Sequence, residues 1–153
     1  MQARDLRCGP PRRWTESIDG ILWLPRVIDK VRAGLEGTLG AYLYGQSPFD
    51  TSLLRTLGLS HTAFARIVRN AVDDESVLRA LEIQDPQSLG RARSWSRKLE
   101  RRHRLFMFVL DVDDGYAGDI WKPIKPAVNL AANGVTWTMK RLWPSSAIEK
   151  SKG

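Results

Sequence analysis

Residues 21–50 read ILWLPRVIDKVRAGLEGTLGAYLYGQSPFD, and this stretch decides the fold. Pro25 suits the first turn of a helix, where its missing N–H costs nothing. Beyond it Val27, Ile28, Val31 and Leu35 share one helical face, with Arg26, Asp29 and Lys30 on the other. Gly37 and Gly40 stop the helix. Residues 41–45 read as a short extended, hairpin-like turn near Tyr42, but one such piece cannot make a sheet.

The chain downstream repeats the helical pattern. Asp50 caps a short helix with Leu53, Leu54 and Leu57 inward, and Gly58 closes it. Ser60 caps the next, which carries Phe64, Ile67 and Val68. Asp73 and Asp74 open a third with Val77, Leu78 and Leu81 apolar, and acids there suit the positive helix end. Asp85 and Pro86 join a capping side chain to a proline at the first helical position. They predict one long helix over 86–110, with an apolar stripe of Leu89, Ala92, Trp95, Leu99, Phe106 and Leu110. A last stripe, Ile124, Val128, Ala131, Val135, Met139 and Leu142, predicts an amphipathic helix. The fold class expected is all-α: a single-domain bundle of five to six helices with an amphipathic helix at its C-terminal end. The expected parts are a helical domain over 1–118, that helix over 119–143, packing on the domain or a partner, and a flexible tail over 144–153.

Composition narrows the class. The 153 residues are 42% hydrophobic and 27% charged, which reads as soluble and globular. One cysteine, Cys8, cannot form an internal disulfide, and His61 and His103 are too few for a zinc motif. The basic N-terminus has no apolar run behind it and is not a signal peptide. A cytoplasmic location follows, with a peripheral membrane association as its variant. Lys plus Arg number 24 against 17 acids, a net charge of +7. That excess favours an anionic partner: nucleic acid, an acidic protein or an anionic membrane surface.

An ordered set of residues carries a family resemblance. It runs Asp5, Leu6, Arg7, Gly20, Leu24, Pro25, Arg26, Asp29, Lys30, Arg32, Ala33, Gly37, Leu39, Gly40, Tyr42, Pro48 and Asp50. Leu57, Gly58, Asp74, Glu75, Val77 and Leu78 extend it. In these positions the chain resembles a bacterial family of small proteins, the domain of unknown function numbered five thousand and sixty-nine. Ala41 stands where that pattern has an acidic residue, which weakens any carboxylate-based site at the turn. The resemblance implies a mostly helical fold and supplies no catalytic residues.

Several constellations could carry chemistry. Arg26, Asp29, Lys30, Tyr42 and Asp50 would line a polar pocket for a small-molecule enzyme, the cations binding an anion and Asp29 orienting them. Against that stands a solvated helix face with weak local pairs. Arg91, Arg93, Arg97, Lys98, Arg101, Arg102 and Arg104 form a basic run with Glu100 as its one acid. Such a face binds phosphate through charge and forked hydrogen bonds, or else pairs with acids elsewhere in the fold. No nucleic-acid-binding motif accompanies it. His103 falls in the apolar stripe and reads as a core histidine, or as a proton-transfer group. His61 reads as exposed.

Asp111, Asp113, Asp114 and Asp119 lack the spacing of an EF-hand, so neither a metal nor a cofactor is expected. Trp121, Trp137 and Trp143, with Lys122, Lys125, Lys140 and Arg141, suit a membrane headgroup layer. The same stripe could instead pack on the bundle or on a second copy of the chain. The leading expectation is a non-enzymatic binding or adaptor protein with a basic helix face.

Overall fold

A computed structural model describes residues 3–116, with the side chains of residues 104–106 excepted. Among the described residues are six α-helices and one pair of short antiparallel strands. The chain divides after Arg102 into two units, Met1–Arg102 and His103–Gly153. The expected amphipathic helix over 119–143 and the tail over 144–153 lie outside the described residues.

In the first unit, β1 (Ser17–Ile18) and β2 (Ile21–Leu22) form a hairpin, with Ser17 opposite Leu22 and Ile18 opposite Ile21. The turn residues Asp19 and Gly20 both have positive φ, 52° and 70°. A two-residue type I′ turn requires this, and Asp-Gly supplies it at low cost. The hairpin therefore sits at residues 17–22 and not near Tyr42, where the backbone is irregular.

Helix α1 (Leu24–Glu36) follows at once, with Pro25 in its first turn. Gly37 ends it at φ 72°, and its N–H bonds back to the Gly34 carbonyl at 3.4 Å. Gly40, at φ 63°, permits a close crossing: a Cβ there would lie 2.9 Å from the Leu6 carbonyl oxygen. The crossing lets the N-terminal arm run beside the end of α1, where Leu6 N–H donates to the Thr38 carbonyl at 2.9 Å.

Helices α2 (Pro48–Thr56), α3 (His61–Asn70) and α4 (Asp74–Gln84) are each opened by a capping side chain. Ser60 accepts from the Ala63 N–H at 3.1 Å and Asp73 from the Ser76 N–H at 2.7 Å. These caps match the expectation. For α2 the cap is Ser47, which accepts from the Asp50 N–H. Asp50 is thereby released from capping and turned inward. Such caps are worth about 1 kcal/mol each.

The expected single rod over 86–110 is broken. Helix α5 spans Ser88–Arg102 and α6 spans Arg104–Asp113, with His103 non-helical between them at φ −118° and ψ 18°. Arg101 and Arg104 stand three apart across the break, like charges that would repel along a continuing helix. Ending α5 at Arg102 instead places Arg101 and Arg102 at the negative end of its dipole. The start also shifts. Asp85 accepts the Gln87 N–H at 3.0 Å in a local turn, so Pro86 precedes the helix.

The core of the first unit gathers Ile21, Trp23, Leu24, Val27, Ile28, Val31, Leu53, Leu54, Phe64, Val77, Leu81, Ala92 and Leu99, all nearly solvent-free. Helix α1 is its axis, since every residue from Leu24 to Ala33 is buried. In the second unit, α6 buries Met107, Asp111 and Val112.

Candidate functional site

The polar side of α1 is not a solvated face. Arg26, Asp29, Lys30 and Arg32 are all buried, and Asp50 is 0% exposed. Lys30 Nζ donates to both Asp50 carboxylate oxygens, at 2.8 and 2.7 Å, and to the Leu43 carbonyl at 3.3 Å. The Trp23 indole N–H donates to the same carboxylate at 2.8 Å. The Arg26 guanidinium lies 5.3 Å from the Trp23 ring centroid and 5.6 Å from that of Tyr42. Asp29 is met from outside α1: Arg12 donates to it through its backbone N–H at 2.8 Å and through its guanidinium at 2.8–3.1 Å.

The five pocket candidates are thus brought close, and Lys30 and Asp50 meet directly. Tyr42 is half-buried, and Asp29 is held by Arg12 rather than by the other four. Buried charges persist only when paired and hydrogen-bonded, as the dry Lys30–Asp50 pair is.

Four further members lie far from the cluster in sequence or went unmarked: Arg12, Trp23, Arg32 and Asp74. Arg12 also donates to Asp74 at 2.5 Å and to the Pro25 carbonyl at 3.1 Å, and Arg32 reaches Asp74 at 2.8 Å. Burial works against the Arg12 charge, but its bonds to Asp29 and Asp74 outweigh this and raise its pKa above the ordinary value. Trp23 holds a positive φ of 70°, costly for a residue with a Cβ. Its bond to Asp50 and its contact with the Phe49 ring, centroids 5.1 Å apart, fix it there.

Beside this cluster sits His61, which is half-buried rather than exposed. The Tyr44 hydroxyl donates to the His61 carbonyl at 2.7 Å, and Thr51 Oγ1 lies 3.3 Å from His61 Nε2. Burial lowers the His61 pKa from 6.5, with the Asp50 charge opposing the shift. The same two influences both raise the Tyr44 pKa, burial first.

Folding thus favours the neutral His61 ring more than the unfolded chain does, whose ring takes a proton near 6.5. The stability this contributes is whole above that pH and is lost as pH falls through the folded pKa. A proton NMR titration is expected to place the His61 pKa below 6.5. A value above it would contradict the burial argument.

The basic run divides into two sets. Arg91 is paired with Asp85 at 2.5 Å and donates to the Thr56 carbonyl at 3.2 Å. Arg93 is held by the Asp19 carboxylate and carbonyl. Arg97, Lys98, Arg101 and Arg102 are exposed, and among the described residues no carboxylate lies within ion-pair range of them.

Helical geometry explains the split. Taking Arg97 as zero, Arg101, Lys98 and Arg102 fall at about 40°, 100° and 140°. Leu99 and Ala92 fall at about 200° and 220°, facing the core. On one flank Trp95 donates to Ser52 Oγ of α2 at 2.9 Å. On the other, Ser96 Oγ accepts the Leu22 N–H of β2 at 3.0 Å. Helix α5 is clamped on three sides, and the cations occupy the fourth.

His103 is exposed at the break and not in an apolar stripe. The Arg104 side chain, Asp119, Trp121, Trp137 and Trp143 lie outside the described residues. Among those described, no group of His, Cys, Asp and Glu side chains is placed to hold a metal ion, and no helix is long and apolar enough to cross a membrane.

Over residues 9–105 the chain matches the family described as Domain of unknown function (DUF5069). The matched segment takes in the hairpin, α1 to α5 and every member of the buried cluster. No curated protein matches the chain.

Proposed function

The chain belongs to the DUF5069 family, and we propose that it is a non-enzymatic binding protein whose α5 presents Arg97, Lys98, Arg101 and Arg102 to an anionic partner. One observation carries this reading: four exposed cations share one arc of α5, and among the described residues no carboxylate, the neighbouring Glu100 included, comes within ion-pair range of them. Like charges four apart repel by roughly 0.2–0.5 kcal/mol per pair. An anion on this arc relieves that repulsion, and guanidinium forks suit phosphate or carboxylate. The buried cluster of α1 supports architecture rather than turnover, because Asp50 is spent on Lys30 and Trp23, Asp29 on Arg12, and Asp74 on Arg12 and Arg32. The free, exposed Cys8 agrees with a reducing, cytoplasmic setting.

Affinity capture from lysate, analysed by mass spectrometry with and without nuclease, tests the reading. The native chain is expected to retain anionic partners that elute as salt rises, since exposed charges are screened. Arg97→Glu/Arg101→Glu/Arg102→Glu is expected to lose them while its circular dichroism stays unchanged. Equal capture by both proteins, insensitive to salt, would sink the proposal.

A further inference from the structure

Resting on that α5 contact, we infer that the partner is nucleic acid, gripped by its phosphate backbone without reading of the bases. The first argument is length. Trp95 meets Ser52, and Arg91 meets the Thr56 carbonyl, so α2 and α5 run antiparallel with Arg55 placed at the Arg91 end. Arg55 is exposed, and Arg91 keeps 44% of its side chain in solvent despite Asp85. From Arg91 to Arg102 the helix rises about 16 Å. That length faces about five phosphates of one duplex strand, at about 3.4 Å each. A single small anion would leave most of such a tract unused.

The second argument is what borders the cations. Gly90, Ser94 and Glu100 lie among them, and the large apolar side chains exposed among the described residues are Leu35, Val72 and Ile83, none of them on α5. A protein interface needs aromatic or aliphatic anchors at its centre. A membrane-surface helix needs apolar side chains to insert. Nucleic-acid interfaces are instead polar and strongly positive, as is this chain at +7.

The third argument sets the mode of binding. Trp95, the aromatic of α5, is partly buried, and its N–H is committed to Ser52. It is not presented for base stacking, which leaves phosphate contacts to supply the affinity.

Fluorescence anisotropy with random-sequence DNA and RNA oligonucleotides, across a salt series, tests this. Five phosphate contacts, from Arg55, Arg97, Lys98, Arg101 and Arg102, predict a log–log salt slope of about −4.5 on duplex and about −3.5 on single strands. On duplex this is roughly a five-hundredfold loss of affinity between about 50 and 200 mM salt. Arg97→Ala/Arg101→Ala/Arg102→Ala is expected to flatten the duplex slope to about −1.8. Arg66→Ala/Arg69→Ala/Arg79→Ala removes the same charge from α3 and α4 and is expected to leave it unchanged. Thermal melts confirm that both variants fold.

Equal flattening by the two variants, or a strong preference for one sequence, overturns the inference. Polyglutamate and anionic phosphatidylserine vesicles are the comparison probes. If the α5 variant loses either of these while the native chain ignores oligonucleotides, the nucleic-acid inference falls and the anionic-partner proposal stands. If the native chain binds no polyanion, both fall.

Discussion

Asp50→Ala is expected to cost about 3–5 kcal/mol of folding stability, the range for removing one partner of a buried ion pair. The Asp50 carboxylate is sealed from solvent and accepts three bonds, two from Lys30 and one from Trp23. Its loss leaves an ammonium ion and an indole N–H in a dry interior. It also frees Trp23 from the bond that secures its left-handed backbone. Against a total stability of about 5–15 kcal/mol for an ordinary domain, such a loss is severe. Urea denaturation followed by tryptophan fluorescence measures it. Lys30→Met combined with Asp50→Leu is expected to recover most of the loss, since an apolar pair in place of a buried salt bridge is often neutral. A single-variant cost below about 1 kcal/mol would show that Lys30 finds another acceptor, contrary to the geometry.

Arg12→Ala is expected to be the second most damaging change, at about 2–3 kcal/mol, on the scale of a lost charged hydrogen bond. Arg12 ties the N-terminal arm to α1 through Asp29 and the Pro25 carbonyl, and ties α1 to α4 through Asp74. Without it, residues 3–16 are expected to exchange amide hydrogens faster and to be cut sooner by trypsin, while α5 stays protected. Arg12→Lys is expected to rescue only partly, because one ammonium cannot fork between two carboxylates. Full rescue would mean that charge alone matters at this site.

Much of the architecture could be read from the chain because its signals were local. Pro25 and Gly37 bracket α1, and Ser60 and Asp73 open their helices as capping chemistry requires. The hairpin carries a local signal too: Ile18, Asp19, Gly20 and Ile21 place Asp-Gly between apolar residues, a strong type I′ pattern. The break at His103 was harder to see. The apolar stripe continues across it, and only the density of like charge beside it argues for a stop.

The candidate site was legible in its membership and not in its character. Periodicity put Arg26, Asp29 and Lys30 on one face, but period alone cannot say whether such a face meets water. What covers it comes from Arg12, 17 residues before Asp29, and from Asp74, 42 residues after Arg32. In the basic run, spacing identified the cations but not which were already matched. Asp19 neutralises Arg93 from 74 residues away, a pairing that only the folded hairpin creates.

The ions enclosed along α1 also shape the response of this domain to heat. Hydration of a charged group becomes less favourable as temperature rises, so keeping Lys30 and Asp50 dry costs less in a warm solution than in a cold one. The contribution of aliphatic burial, by contrast, levels off. Warming therefore shifts the burden of holding the fold from its oily residues toward its ionic spine.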